Sequence, residues 1–199
     1  MPLPFDFSSD LILENARVLL RPLHEDDYQD LLVYALEEPS LWDYSLLPAS
    51  GEKGMKTYMD AALLWREQET SYPFVVIDKN IDSIAGSTRF YNINFFHKTL
   101  SVGYTWYGKA FQRTGLNRHC KLLLFSHAFE AWGMERIELR ADARNQQSFT
   151  AMKALGCTHE GTLRNDSVAK GGRRDSVVLS FLKQEWEQGG KAALQAKTH

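Results

Sequence analysis

Three consecutive segments between residues 73 and 108 constrain the fold more than any other feature of this sequence. The segments PFVVIDK, SIAGSTRFYNI and TLSVGYTWYG are rich in Val, Ile, Thr and aromatic residues, which favour β-strands. Only short turn sequences around 78–82 and 94–98 separate them. Connections this short join antiparallel neighbours, because parallel strands need a crossover of a dozen residues or more. The sequence therefore predicts an antiparallel meander at the centre of the chain.

Further helical and strand patterns surround this meander on both sides. Helices are predicted over residues 24–38, 55–69, 116–133 and 145–156. Strands are predicted over residues 16–23, 136–142, 157–165 and 173–186. The resulting order β, α, α, β, β, β, α, β, α, β, β predicts an α/β fold, with a mixed, mostly antiparallel central sheet flanked by helices. We expect one domain over residues 1–199, with an ordered core of about 13–187 and a flexible tail over 188–199.

Composition excludes several classes of function. The chain has 23 Lys and Arg against 25 Asp and Glu, and this near-neutral charge argues against a nucleic-acid binder. Cys120 and Cys157 are too few for a disulfide framework, and the six histidines lack ligand spacing, so we expect no metal. No apolar run approaches the ~20 residues of a membrane span. The first residues show no secretory pattern, so the expected location is cytoplasmic, without membrane association.

The junction between the third meander strand and the next helix carries the clearest chemical signal. Its loop, Gln112-Arg113-Thr114-Gly115-Leu116-Asn117, opens the helix directly. Such a helix start presents unpaired backbone N–H groups and the positive end of the helix dipole, which together bind phosphate oxygens. Gly115 permits a positive φ or a close approach of ligand to backbone, and Arg113 adds a positive charge. As an isolated match, however, the pattern is better explained by an ordinary strand-to-helix turn.

Other segments place this junction in a longer ordered series. The series comprises LENARVLLRPLHEDD, GYTW with QRTGLN, KLLLFSHAFEAWG, RIELRADARNQQSFTAMKALGCTHEGTLR and GGRRDSVVLSFLKQEW. Together these segments resemble the GCN5-related N-acetyltransferases, the GNAT superfamily, and within it the Rim-type branch that acetylates the N-termini of ribosomal proteins. The resemblance covers most of the chain. It implies a GNAT fold and an acyltransferase that uses acetyl-CoA as co-substrate.

The same resemblance implies which residues hold acetyl-CoA. The family's loop pattern Q/R-x-x-G-x-G/A, whose amides cradle the pyrophosphate, is matched by Gln112, Arg113, Thr114, Gly115, Leu116 and Asn117. Asn117 departs from it, because it stands where the family has a small residue. The strand Tyr104-Thr105-Trp106 would pair with the pantetheine arm as with another strand. Asn145 would hydrogen-bond the same arm, and it is also a favourable helix N-cap.

The reaction requires a neutral amine to attack the thioester and a leaving thiolate to be protonated. An α-amino group has a pKa of ~7.7–8.0 and a lysine ~10.4, so an N-terminal amine needs only a modest base. A backbone N–H of the TLSVGYTW strand could hold the oxyanion.

Family resemblance supplies candidates for the remaining proton transfers. Many GNAT members place a tyrosine seven positions after the capping asparagine, where this chain has Met152. Ser148 is then the serine that the Rim-type branch would use as acid, although serine is also common near N-caps. Ser101 stands where relatives often carry glutamate, which leaves Glu160 as candidate base, with a structural ion pair slightly favoured for it.

Aromatic residues in the front half of the chain indicate where the acceptor would bind. They are Trp42, Tyr44, Trp65, Tyr91 and Phe95. Such residues can wall a substrate cleft, although core or homodimer packing explains them equally well. The function that best fits the whole sequence is acetyl transfer from acetyl-CoA to a protein or peptide N-terminal α-amine. Two alternatives remain: a small-amine acceptor such as a polyamine or aminoglycoside, and a non-catalytic acyl-CoA-binding regulatory module.

Overall fold

The central meander forms in the computed structural model, which describes residues 5–198. The strands are β1 (Leu13–Glu14), β2 (Val18–Pro22), β3 (Ser71–Asp78), β4 (Ser83–Asn94), β5 (Thr99–Tyr107), β6 (Arg136–Asp142), β7 (Thr158–Ala169) and β8 (Gly172–Leu182). They form one sheet in the order β1-β2-β3-β4-β5-β6-β8-β7. Strands β3, β4 and β5 pair in antiparallel fashion, as the short turns between them predict. The mixed, mostly antiparallel sheet of the predicted GNAT fold is thereby confirmed.

Helices cover both faces of this sheet. They are α1 (Tyr28–Glu37), α2 (Gly51–Glu67), α3 (Leu116–Ser126), α4 (Gln146–Ala154), α5 (Lys183–Glu185) and α6 (Lys191–Gln195). Helices α1 and α2 bury a smaller apolar cluster against one face, around Leu31, Met55 and Trp106. The main cluster lies on the α3 side and includes Leu124 and Phe181. Within residues 5–198, no helix combines the length and apolar character needed to span a membrane.

The sheet opens between β5 and β6, the parallel pair of strands. Their register joins Thr99 with Arg136 and ends where Ser101 meets Glu138. Beyond that point β5 pairs only with β4, and β6 pairs only with β8. The facing edges of residues 102–107 and 139–142 therefore carry no strand partner. We call this gap the sheet opening; α3 follows β5 and α4 follows β6 at its wide end.

Strand β5 contains a bulge beside the sheet opening. The β4–β5 register shifts by one residue between Ser87 and Arg89. Two residues of β5, Tyr104 and Thr105, therefore lie opposite the single residue Thr88. Tyr104 has a φ of 49°, in the left-handed region that costs a non-glycine residue about 1–3 kcal/mol. The surrounding structure must supply the free energy that holds this conformation.

The C-terminal segment is folded, so the predicted flexible tail over 188–199 is wrong for residues 188–198. Leu194 of α6 is buried in the main core. The Lys197 backbone carbonyl accepts a hydrogen bond from Arg118 of α3 at 3.1 Å, and Lys197 Nζ donates to the Ala154 carbonyl at 2.8 Å. The apolar anchor at Leu194 overrides the Gly189–Gly190 stop signal. His199, the last residue of the predicted tail, lies outside the described residues.

Candidate active site

The loop between β5 and α3 has the conformation of an anion site. Arg113 and Gly115 both adopt left-handed angles, with φ of 62° and 88°, on either side of Thr114. Within residues 5–198, the backbone N–H groups of Arg113, Thr114, Gly115 and Asn117 have no hydrogen-bond acceptor. Successive unpaired N–H groups at a helix start form a positive concave site that suits phosphate. A Cβ at Gly115 would meet no atom within 4 Å, so its backbone angle rather than lack of space favours glycine.

Side chains brace this loop and leave its N–H groups available. Gln112 Nε2 donates to the Tyr107 carbonyl at 3.0 Å, and Gln147 Nε2 donates to Gln112 Oε1 at 3.2 Å. Asn117, which departs from the family pattern, accepts a hydrogen bond from the Tyr107 hydroxyl at 3.2 Å. Leu116 is buried in the main core and anchors the first turn of α3. The asparagine therefore secures the loop to β5.

Helix α4 presents two polar side chains at the sheet opening. Asn145 is its N-cap, because its side-chain Oδ1 accepts a hydrogen bond from the Ser148 backbone N–H at 3.0 Å. The other amide atom of Asn145 and the Ser148 hydroxyl have no hydrogen-bond partner within residues 5–198. Both groups are thus available to a ligand. Met152, one helical turn further on, is buried and offers no donor.

Glu160, the candidate base, belongs to an ion pair at the paired end of β6. Its carboxylate accepts two hydrogen bonds from Arg136, each at 2.5 Å, and one from the Ser180 hydroxyl at 2.7 Å. Hydrogen bonding to Arg136 lowers the pKa of Glu160 to about 2. Arg136 pairs in register with Thr99, where β5 and β6 have not yet separated. So acidic a carboxylate is a poor proton acceptor, and the geometry favours the structural role over catalysis.

Three of the five predicted acceptor aromatics share one surface. The rings of Trp65 and Tyr91 lie 5.7 and 5.2 Å from the ring of Tyr104, centroid to centroid. The Tyr44 carbonyl accepts a hydrogen bond from Arg174 at 3.2 Å. Burial raises the pKa of Tyr104, and the charges of Arg89 and then Arg174 oppose that rise. We call Tyr44, Trp65, Tyr91, Tyr104 and Arg174 the acceptor face.

Trp42 and Phe95, the other two predicted acceptor residues, lie elsewhere. Trp42 is only 2% exposed, and its ring centroid lies 5.2 Å from that of Trp106, inside the smaller apolar cluster. Phe95 packs on Trp132 at 5.7 Å, with the main core on the α3 side. The prediction that these two residues wall the acceptor cleft is therefore wrong. Aromatic content alone does not show which face of a sheet a side chain occupies.

Carboxylates around the acceptor face are already engaged. Glu138 Oε1 accepts a hydrogen bond from Arg140 Nε at 2.7 Å. Asp166 accepts one from the Ser176 hydroxyl at 2.7 Å, and this bond lowers the pKa of Asp166. Arg174 adds a positive charge without a carboxylate within salt-bridge distance in the described chain. Among residues 5–198 of this region, the charge of Arg140 offsets that of Glu138, and the charge of Arg174 offsets that of Asp166.

Within residues 5–198, the cysteines and histidines provide neither an activated thiol nor a metal site. Cys120 and Cys157 are both buried free thiols. Burial raises the pKa of Cys157 to about 12, so its thiol stays protonated at neutral pH. Among residues 5–198, no group of three His, Cys, Asp or Glu side chains is placed to hold a metal ion.

Two buried cations beside the bulge escaped prediction from sequence. Arg89 is fully buried, and its guanidinium lies 4.4 Å from the ring centroid of Tyr104. Lys121 of α3 is 4% exposed, and its Nζ donates to Thr105 Oγ1 at 2.7 Å. The one signal in the sequence was position. Arg89 lies among the small and aromatic residues of β4, and Lys121 lies beside Cys120 on the buried side of α3.

Known proteins share this architecture. Residues 17–158 match the family model described as the acetyltransferase (GNAT) domain. A Bacillus subtilis (strain 168) protein, provisionally named ribosomal N-acetyltransferase YdaF, is 25% identical over 171 residues, which cover 85% of this chain and 91% of that protein. The crystal structure of a GCN5-related N-acetyltransferase from Brucella melitensis has a TM-score of 0.84 and 25% identity, covering 94% of this chain and 84% of its own. Mycobacterium smegmatis RimJ in complex with CoA-disulfide shares the fold at 18% identity and a TM-score of 0.79, with 94% and 93% covered.

Proposed function

The chain belongs to the GNAT family of acetyltransferases, in its Rim-like branch, and from that premise we propose that it moves the acetyl group of acetyl-CoA to the N-terminal α-amine of a protein or peptide. One observation carries the proposal. A single strand, β5, has an unpaired edge at the sheet opening and leads within a few residues to a loop with four unpaired N–H groups. An extended amide-containing arm that ends in a pyrophosphate has the chemistry for both features.

The residues present fit this substrate. The N–H groups of Arg113, Thr114, Gly115 and Asn117 suit the pyrophosphate oxygens, which are strong acceptors. The backbone of residues 104–106 can hydrogen-bond the amides of the pantetheine arm from the free edge of β5. The side-chain amide of Asn145 can donate to the same arm across the opening, while its oxygen continues to cap α4.

The transfer itself asks little of the protein's acids and bases. The amine nitrogen bonds to the thioester carbonyl carbon and loses a proton to water, the oxyanion receives a hydrogen bond from a β5 backbone N–H, and the C–S bond then breaks. The Ser148 hydroxyl can donate a proton to the departing sulfur, directly or through water. Because a free thiol has a pKa of ~8.5, the thiolate is already a tolerable leaving group and weak assistance suffices.

The absence of a spare carboxylate on the acceptor face, among residues 5–198, supports an α-amine as acceptor. Glu138 and Asp166 are held by hydrogen bonds, and Glu160 is paired with Arg136. An α-amine with a pKa of ~7.7–8.0 is substantially neutral near pH 7.5, whereas a lysine or polyamine nitrogen near 10.4 needs a stronger base. The engaged carboxylates also leave little attraction for a polycationic acceptor.

Release of free CoA thiol from acetyl-CoA tests the proposal. The acceptor panel contains peptides that have a free N-terminus and an internal lysine, and the same peptides with an acetylated N-terminus. It also contains spermidine and an aminoglycoside. We expect thiol release with the free peptides and none with their acetylated twins. Release with spermidine or the aminoglycoside alone would replace the proposal by a small-amine enzyme. Tight CoA binding without release on any acceptor would indicate a binding module.

A further inference from the structure

Tyr104 and Thr105, the two residues of the β5 bulge, are each contacted by a buried cation. The cations come from opposite faces of the sheet, Arg89 from the α2 side and Lys121 from the α3 side. Neither has a carboxylate within salt-bridge distance in the described chain. Buried charges in proteins are usually paired. Two basic side chains without a carboxylate partner thus contact consecutive residues of the bulge, and one structural role should explain both.

Three aromatic rings, rather than a carboxylate, contact the guanidinium of Arg89. None of its three guanidinium nitrogens has a hydrogen-bond partner within residues 5–198. The guanidinium carbon lies 4.4 Å from the ring centroid of Tyr104, 4.8 Å from that of Tyr58 and 5.5 Å from that of Trp65. Attraction between a cation and a ring strengthens when water is excluded. The closest ring belongs to the residue with the strained φ, so this contact favours the bulged conformation directly.

Hydroxyl groups hold Lys121 on the other face. Its Nζ donates to Thr105 Oγ1 at 2.7 Å and to Thr88 Oγ1 at 3.2 Å, and the two threonine oxygens lie 2.7 Å apart. Thr88 is the β4 residue opposite the bulge. Burial lowers the pKa of Lys121, so these two hydrogen bonds, rather than a full positive charge, carry the link. One amino group therefore joins both strands at the point where their register shifts. Because it extends from α3, it also ties the bulge to the helix that follows the anion-binding loop.

We propose that Arg89 and Lys121 are positioning residues that together hold the β5 bulge in one geometry at the sheet opening. A neutral side chain could fill either space. The Arg89 guanidinium, however, adds attraction to the Tyr104 ring on one face, and the Lys121 amino group donates hydrogen bonds to both threonines on the other. These directed contacts oppose relaxation of Tyr104 out of its strained conformation.

The catalytic consequence rests on the proposed function. If β5 supplies the N–H group that stabilises the oxyanion, the geometry of the bulge enters kcat, because small displacements at a reacting centre cost much of the rate. Affinity for CoA depends mainly on the loop over residues 112–117. Loss of either side chain should therefore lower kcat and leave the affinity for CoA nearly unchanged.

The test compares charge-removing substitutions with a matched control. Arg89→Met removes the charge and Lys121→Met removes the hydrogen-bond donor, each keeping much of the side-chain bulk, while Arg89→Lys keeps the charge. The control is Arg66→Met, because Arg66 also lies over an aromatic ring, that of Tyr72 at 4.7 Å, without contacting the bulge. Each variant is measured for kcat, for KM of acetyl-CoA and for amide hydrogen exchange of a peptide covering 100–107 in the ligand-free protein.

We expect each Met variant at the bulge to lower kcat about 10- to 100-fold with less than about 3-fold change in KM of acetyl-CoA. Exchange over 100–107 should be at least about tenfold faster than in the control, and Arg89→Lys should recover part of both effects. Exchange equal to that of Arg66→Met would overturn the inference. If a Met variant does not fold, Lys121→Gln and Arg89→Gln give the same comparison by exchange, and control-like values in both would also overturn it. Faster exchange in a protein that acetylates no acceptor would contradict the proposed function and leave the bulge assignment standing.

Discussion

The loop over residues 112–117 and the acceptor face are built by different means. The loop is one continuous segment, and the groups that we propose for CoA binding are backbone N–H groups that the turn and helix start expose. The acceptor face instead gathers side chains from the segment around Tyr44, from α2, from β4 and β5, and from β8. A backbone site can be recognised from consecutive residues. A surface assembled through strand register depends on contacts between distant segments, so the two regions should also respond differently to substitution.

Gly115→Val should have the largest effect and should be confined to the cofactor side. Gly115 has a φ of 88°, and a β-branched residue there costs about 2 kcal/mol or distorts the loop, which corresponds to about 30-fold weaker CoA binding. Calorimetric titration with CoA measures it. Gly133→Val is the control, because Gly133 has a φ of 64° and equally open space at the far end of the α3 segment. Equal loss of affinity in both variants would show that the loop is not the CoA site.

Ser148→Ala should come next, with kcat about tenfold lower and the Kd for CoA within twofold, because only proton donation to the sulfur is removed. Steady-state kinetics with a peptide acceptor separates the two parameters. Thr150→Ala, at an exposed position of the same helix, is expected to leave both unchanged. Unchanged turnover in Ser148→Ala would exclude this hydroxyl from the mechanism.

Tyr44→Ala addresses the acceptor side. Tyr44 is 41% exposed, and its ring lies 5.9 Å from the guanidinium of Arg144, so we expect about fivefold higher KM for the peptide and unchanged KM for acetyl-CoA. Phe96→Ala removes a more exposed aromatic ring, 88% accessible, outside the acceptor face. A similar rise in peptide KM for both variants would mean that Tyr44 has no specific role.

Glu160→Gln should have the smallest effect, on stability rather than turnover. The pKa of Glu160 is lowered in the folded state to about 2, so its ion pair stabilises the protein above the unfolded pKa near 4.3. That contribution is lost as pH falls from about 4.3 towards 2. Since the carboxylate is partly exposed, we expect a Tm only about 1–3 °C lower at pH 7, a difference that disappears at low pH, with kcat unchanged. A large loss of kcat would restore Glu160 as a base.

Much of the fold could be predicted because its signals are local. Short turns required the antiparallel order of β3, β4 and β5, and the ordered series of motifs indicated the GNAT family. The folded segment around α6 was missed, because two glycines look like an end while the burial of Leu194 depends on packing against distant residues. The separation of β5 from β6 was likewise invisible, since it arises from the register of strands far apart in sequence.

The candidate site shows the same division. The loop residues and the Asn145 N-cap follow from adjacent residue types, whereas Trp42 and Phe95 were misplaced because nothing local reveals the sheet face. Arg89 and Lys121 were missed for a further reason. A charged residue in a strand or helix is ordinarily expected to face solvent, and both side chains are instead buried by partners contributed from other elements.

The bulge also changes how this chain can vary in length over evolution. Leu100 and Val102 before it, and Tyr107 after it, all face the main core, although their spacing is incompatible with simple alternation along one strand. The extra residue of the bulge shifts the alternation by one position, so that Tyr107 also faces the core. Deleting one residue from a central strand normally turns every later side chain to the wrong face, but deleting Gly103 would leave the residues beyond it on their present sides. Relatives one residue shorter at this point could therefore keep the core while losing the irregularity beside the sheet opening.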